Sequence, residues 1–419
     1  MIQKLKPKSE FSRNVLTLMT GTTIAQAIPI AISPILTRIY TPEDFGVFAL
    51  FIAITSIFGS IANGRYELAI MLPKKDEDAI NIFALGFIIT TCMSFTLLIL
   101  VLLFQDYFVT LLKNDSIGVW LYFVPISVFF TGLFNILNYF NNRRKNYKDI
   151  TNAIIFKSIV LAIVRLGVGF IKQGASGLVS GQILSQFAAN TKLLKNIIKD
   201  KVLISKISKV KMIALARKYK DFPKYSMWAG LANALSTNFT NILISSFYSV
   251  STLGFYSLVQ RLLGMPASLI SNSIGQVFFQ QATKEKQETG KTTVSFNNTI
   301  KKLIFIGLPF FTVLFFTIED LFAFVFGEEW RITGTYAQIV IPLFFIRFVV
   351  APLTVMNVIF EKNHIGMYWQ FSMLAVNVIV IYISSILNYT FVNYLYLSTL
   401  FNSLEYLLIL YIIKNYNKD

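Results

Sequence analysis

"IIFKSIVLAIVRLGVGFI" (154–171) is apolar along its whole length except for Lys157, Ser158 and Arg165. A run of this length, at about 1.5 Å per residue, is long enough to cross hydrocarbon as a helix. The two cations inside it then need a reason to be there. The surrounding chain has the same character: its 419 residues are 55% hydrophobic, 15% aromatic and only 14% charged, whereas soluble domains carry about 25% charge. Too little polar material is available to coat a soluble globule of this size. Apolar blocks of about 20 residues recur along the chain without period-two alternation, which favours spanning helices over a barrel. The fold class expected is therefore an all-α integral membrane protein.

Spans are expected near 13–38, 45–70, 80–104, 117–140, 150–171, 176–196, 225–247, 253–279, 301–326, 335–360, 365–387 and 391–413, about twelve in all. Turn and charge clusters such as "YTPEDFG", "PKKDEDA", "NNRRKNYKD" and "FGEEWRITG" separate them. The first block is too long for a signal-peptide core and is kept as a helix. With the N-terminus in the cytoplasm, the inner segments hold thirty Lys and Arg, while the outer ones hold Arg38, Lys113, Lys172 and Arg331. The positive-inside rule then puts both termini in the cytoplasm. The net charge of +17 is mostly a topology signal, spread over loops and not gathered on one nucleic-acid-binding face.

The chain repeats itself. "IYTPEDFGVFAL" (39–50) and "FYSVSTLGFYSL" (247–258) align Tyr40 with Tyr248, Gly46 with Gly254, Phe48 with Tyr256 and Leu50 with Leu258, at an offset of 208 residues. Upstream, "FSRN" (11–14) recurs in kind as "FPKY" (222–225), three residues out of that register. Two parallel six-helix halves around a central cavity are expected: residues 1–200, a basic cytoplasmic linker at 201–222, and residues 223–419. The linker alternates Lys with apolar residues at helical spacing. It reads as an amphipathic helix lying on an anionic leaflet, or simply as a topology anchor. Pro29, Pro34, Pro125, Pro266, Pro309, Pro342 and Pro352 fall in or beside the spans, where broken helices accompany cavities.

Lys157 and Arg165 lie on one broad face of their helix, about 80° and 12 Å apart. Arg261 and Arg347 join them at similar depth in other spans. A charge at mid-membrane costs at least about 2.5–3.5 kcal/mol, so each should face the bundle interior or water. The acids available are Glu405, at depth, and Glu319 with Asp320 near the outer end of the ninth span. Glu405 can neutralise one arginine but not four cations. The excess suits a cavity that accepts an anion, with Arg fitted to bidentate phosphate contact and Lys to point-charge contact. Arg65, with Glu67, sits at the inner end of the second span, either meeting an anionic headgroup or forming a local ion pair.

Catalysis lacks parts: His364 and Cys92 are the only histidine and cysteine, so no disulfide, metal cluster or thiol triad is expected, and no cofactor. "GKT" (290–292) mimics a phosphate loop, but Glu285 stands where its first glycine belongs.

"NVLTLMTGTTIAQAIPIAISPILTRIYTPEDFGVFAL" followed by "GRYELAIMLPKKDEDA" resembles the N-terminal region of the bacterial oligosaccharide flippases, the Wzx or O-antigen type, within the multidrug/oligosaccharidyl-lipid/polysaccharide exporter superfamily. The sharpest match covers about the first 80 residues; the rest matches by pattern. The resemblance implies a flippase of the bacterial inner membrane. It would move an undecaprenyl-pyrophosphate-linked oligosaccharide, an O-antigen or capsule unit, to the periplasmic leaflet by alternating access. Membrane lipids, and polymerase and glycosyltransferase partners, are implied with it. On this reading Arg165, Arg261 and Arg347 line the anionic path, Lys157 meets the substrate on the way in, Arg65 is a weaker contact, and Glu405, Glu319 and Asp320 are ion-coupling or pairing candidates. Three other readings stand beside it: a multidrug exporter of the same superfamily, a peptidoglycan-precursor flippase, and a non-transporting scaffold.

Overall fold

The computed structural model describes residues 10–172 and 174–416, with the side chains of residues 10–16, Leu18, Pro266 and Asn272 outside that description. Lys4, Lys6, Lys8 and Lys418, which entered the topology count, also lie outside the described residues. The chain forms two compact units, the first closing at Asn238 and the second opening at Phe239. In the first, α1 (Glu10–Ala31), α2 (Ser33–Ile39), α3 (Pro42–Gly59), α4 (Tyr66–Ala69), α5 (Asp76–Leu112), α6 (Gly118–Leu121), α7 (Val124–Arg143), α8 (Tyr147–Ile171), α9 (Ser176–Ile198), α10 (Lys201–Ile204) and α11 (Lys209–Lys218) follow in order. Helix α12 (Met227–Phe247) leads into α13 (Val250–Thr289), α14 (Thr293–Phe326), α15 (Arg331–Val350), α16 (Met356–Ile359), α17 (Asn363–Ile386) and α18 (Phe391–Asn415). No strand forms among the described residues.

Helices occupy all twelve expected positions, but nine described helices are long and apolar enough to cross a membrane, or ten if one bent pair is a single span. The shortfall is α9 and α12, at the sixth and seventh positions. Both are rich in amides and hydroxyls. In α9 these groups are used internally: Gln186 donates to the Thr131 hydroxyl (3.0 Å) and Asn190 to the Phe130 carbonyl (2.9 Å). Helix-to-helix bonds of this kind hold spans together at about 0.6 kcal/mol each.

Proline and glycine set the breaks. Pro34 opens α2 after the turn at Ile32, and Pro125 opens α7 beyond a 53° bend from the segment Asp115–Leu121. Pro352 lies in a 3-10 turn that divides α15 from α16, whereas Pro29, Pro309 and Pro342 are carried inside helices. The second expected span is shorter than its apolar pattern. Helix α3 ends at Gly59, and Gly64 and Arg65 both adopt left-handed conformations (φ 57° and 63°) before α4 begins. Conversely α5 runs for 37 residues, about 55 Å, and is non-helical at Phe104 (φ −127°, ψ 21°), where the apolar pattern ends.

The repeat is visible as capping chemistry. Thr41 accepts a hydrogen bond from the Asp44 backbone N–H (3.3 Å) and opens α3; Ser249, 208 residues on, accepts one from Thr252 (3.0 Å) and opens α13. Gly46 and Gly254 are both buried. "GKT" has an ordinary role: Gly290 (φ 74°) ends α13, and the Glu285 carboxylate accepts the Val294 and Ser295 N–H groups (2.8 and 2.7 Å) at the start of α14. An anion already fills the place a phosphate would need.

In the first unit α5 and α7 approach closely at Gly132, whose carbonyl accepts from Asn63 (3.1 Å) and where a Cβ would come within 2.6 Å of Thr90 and 3.0 Å of Ala62. Gly132→Leu is expected to cost about 1–3 kcal/mol by overpacking, read as a lower thermal midpoint of the detergent-purified protein. Gly167→Leu, a position open to space, should leave the midpoint near wild type. Equal midpoints for the two variants would refute the contact.

Candidate functional site

Arg165 is 2% exposed, on α8. Its guanidinium carbon lies 4.5 Å from the centre of the Phe48 ring on α3. On α9, Gly181 makes room for its stem, since a Cβ there would come within 2.7 Å of Arg165 Cγ. The Tyr40 hydroxyl donates to the Arg165 carbonyl (2.6 Å), and a Cβ at Gly169 or Gly177 would collide with Tyr40. A desolvated cation–π contact contributes about 2 kcal/mol, nearly offsetting the roughly 2.5–3.5 kcal/mol insertion cost of the charge. Arg165 is therefore built into the packing of α3, α8 and α9. Lys157 is half-buried, its ammonium 5.3 Å from the Phe134 ring on α7 and within electrostatic range of Arg165.

Arg65 lies not on a membrane helix but in the left-handed turn before α4. There it pairs with Glu67 at 3.5 Å, and Gly230 on α12 leaves space for the guanidinium, a Cβ there approaching to 3.3 Å. Burial pushes the Glu67 carboxyl above its ordinary value, opposed by its own backbone N–H and by the Arg65 charge. Burial prevails over the pair at that separation.

In the second unit Arg261 is half-buried on α13, and Arg347 on α15 is exposed, not enclosed as its place in the sequence suggested. Arg347 interacts electrostatically with Tyr256 on α13 and Tyr406 on α18. Tyr256 is the repeat counterpart of Phe48, so each unit sets an arginine beside the same repeat position. One of these arginines is sealed and the other is open.

Glu405 makes no ion pair among the described residues, so the expected pairing with a buried arginine does not form. One carboxylate oxygen accepts the Ser372 hydroxyl (2.7 Å), and the other is buried without a hydrogen-bond partner. The Glu405 carbonyl accepts the Trp369 indole N–H (3.2 Å), and that ring packs on Tyr406 (5.2 Å). One helical turn from Glu405, Asn402 donates to Asn377 (3.0 Å), so a polar seam runs between α17 and α18. Asp320 is exposed and bonded to Arg331 (2.8 Å), itself bonded to Glu328, which leaves it a structural partner at a helix end. Glu319 is half-buried where Gly334 lets α15 approach the α14 backbone. No group of three or more His, Cys, Asp or Glu able to hold a metal ion forms among the described residues.

Sequence reasoning missed the aromatic partners Phe48, Trp369 and Tyr406, and the spacer Gly181. Of these only Phe48 had a signal, its place in the repeat.

The fold is shared with solved transporters. An inward-facing multidrug resistance MATE family transporter of the MOP superfamily is 14% identical, covering 96% of both chains at a TM-score of 0.66. The inward closed lipid II flippase MurJ, also 14% identical, covers 95% of this chain and 87% of its own at 0.71. A MOP superfamily transporter from Pyrococcus furiosus, described as having a binding pocket of reverse polarity, is 13% identical and covers 97% and 96% at 0.57. No curated protein sequence matches the chain. The sequence model of the family described as polysaccharide biosynthesis protein matches residues 35–335. Over most of its length, then, this multi-pass membrane protein belongs to the polysaccharide biosynthesis protein family and has the fold of the MOP-superfamily transporters.

Proposed function

We propose that the protein flips an undecaprenyl-pyrophosphate-linked oligosaccharide, an O-antigen or capsule repeat unit, from the cytoplasmic to the periplasmic leaflet of the bacterial inner membrane. Both termini are cytoplasmic on this reading. The observation that carries it is the membership of a polysaccharide biosynthesis family together with four cations in membrane helices, of which Arg347 is exposed and interacts electrostatically with Tyr256 and Tyr406. A pyrophosphate supplies the negative charge those cations lack, and tyrosines beside an arginine suit a sugar bound next to a phosphate. The halves move by alternating access while the lipid tail stays in the bilayer. Glycosyltransferases make the substrate and a polymerase consumes the product.

Fold similarity to a MATE transporter supports a second reading, a multidrug exporter. A pathway for cationic drugs calls for acids, and here Glu405 stands against Lys157, Arg165, Arg261 and Arg347, which favours an anionic substrate. The MurJ likeness supports a lipid-linked precursor as the class of substrate.

The roles of the cations separate by burial. Arg165, held on Phe48, positions helices; Arg347, with Arg261 and Lys157, contacts the anion. Arg65 is a weaker contact. Glu405 is the ion-coupling group, since its second oxygen is buried without a hydrogen-bond partner.

In a flippase-deficient bacterium, the wild-type gene is expected to restore surface polymer. Arg347→Ala should keep normal membrane levels yet reduce polymer roughly tenfold to a hundredfold, the loss of one charge-assisted contact of about 1.5–3 kcal/mol. Arg165→Ala should reduce the membrane level itself. Normal polymer from Arg347→Ala at normal level would remove that residue from the path. Glu405→Gln should leave protein level unchanged, because Ser372 can still donate to the amide oxygen. It should also abolish the response of transport to a protonophore and to sodium replacement; a response equal to wild type would take coupling away from Glu405.

A further inference from the structure

The basic segment after α9 is folded against the first unit. Leu203 and Leu215 are buried in the core formed with Ala79, Ile82 and Phe83. Asn81 on α5 accepts the Ser208 N–H (2.8 Å) and donates to the Lys206 carbonyl (3.0 Å). Glu77 pairs with Lys211 (3.1 Å) and Lys206 (3.8 Å), and the Tyr66 hydroxyl donates to the Ala216 carbonyl (3.1 Å). Helix α11 is thereby fixed at a set distance from α5.

Between them lies a cavity of about 450 Å³, within the roughly 300–1,000 Å³ of ordinary ligand pockets. Its walls are almost wholly apolar: Leu85 and Ile88 come from α5, Met212 and Ile213 from α11. Its rim carries Lys209, Arg217 and Lys220. The α11 lining residues recur at positions 209, 212, 213, 216 and 217, one face of a helix, and Lys220 lies just beyond its end. None of the three rim cations pairs with a carboxylate among the described residues, while Lys206 and Lys211, outside the lining, pair with Glu77. Asp76 and Glu77, with their ion pairs, form the charged first turn of α5. Leu85 and Ile88 lie roughly 12–17 Å further along the helix, within its apolar stretch.

We infer that this groove binds an anionic phospholipid of the surrounding bilayer, an acyl chain lying between α5 and α11 and the anionic headgroup drawn by the positive charge of Lys209, Arg217 and Lys220. The site is separate from the proposed transport path and does not depend on its substrate. An apolar slot with one sign of unneutralised charge at its mouth matches a molecule with one apolar and one anionic end. Zwitterionic lipid fits the slot but gains nothing from the rim. Each cation near an anionic headgroup strengthens binding about fivefold.

The test is native mass spectrometry of the detergent-solubilised full chain titrated with phosphatidylglycerol and, separately, phosphatidylcholine. Wild type should retain phosphatidylglycerol preferentially. The triple variant Lys209→Gln, Arg217→Gln, Lys220→Gln should weaken that binding roughly a hundredfold and leave phosphatidylcholine unchanged. Ile213→Trp and Ile88→Trp, both at partly exposed lining positions with the cations kept, should also block it by filling the slot. Thermal midpoints near wild type confirm that the variants are folded. Equal retention of the two lipids, or undiminished phosphatidylglycerol binding in the triple variant, overturns the inference. Full binding by both tryptophan variants also overturns it, since the cations would then act as a diffuse surface patch.

Discussion

A guanidinium inside hydrocarbon must be surrounded, and much of the first unit is arranged around doing so for Arg165. The ring of Phe48 takes one face of the charge, and the missing Cβ of Gly181 admits its stem. The Tyr40 hydroxyl reaches the Arg165 carbonyl, and Gly169 and Gly177 let that hydroxyl in. A charged residue sealed this way constrains three helices at once, because displacing any of them exposes the charge or opens a void. The cation that first draws notice in the sequence is thus a fastener between α3, α8 and α9. Arg347, by contrast, is exposed.

The repeat gives this division its logic. At an offset of 208 residues, Thr41 and Ser249 cap the helices that carry Phe48 and Tyr256. Each unit brings an arginine to that aromatic, from α8 in one and α15 in the other. The same backbone frame, entered from different helices, produces a closed contact in the first unit and an open one in the second. Tyr256 adds a hydroxyl where Phe48 has none.

Much of this was legible in the chain before its structure. Apolar block length located helices at all twelve positions, and Pro34, Pro125 and Pro352 marked real breaks. The apolar pattern carried the second span too far, through 70, because hydropathy is blind to the left-handed pair Gly64 and Arg65. It stopped α5 at Phe104, where the helix bends and continues. The site was less legible. Charge and depth picked out Lys157, Arg165, Arg261 and Arg347 alike, because a one-dimensional pattern assigns a residue to a span but not to a face. Only the packing of Phe48 and Gly181 on one side, and the exposure of Arg347 on the other, separates the sealed arginine from the open one.

The polar helices explain how each unit stays assembled. Apolar surface gives little preference between a helix neighbour and a lipid tail, so association within the bilayer rests on close packing and on polar groups that lipid cannot satisfy. In the first unit Asn63, Gln186 and Asn190 bond across helices to Thr90, Thr131 and the Phe130 carbonyl. In the second, Asn402 and Asn377 join α17 to α18, and Glu405 takes the Ser372 hydroxyl in the same seam. These bonds lie within each unit. Glu405 differs from the rest of its seam in being a carboxylate with one oxygen buried and without a hydrogen-bond partner. Polar cohesion and this one unmet hydrogen-bonding position thus sit in the same contact between α17 and α18.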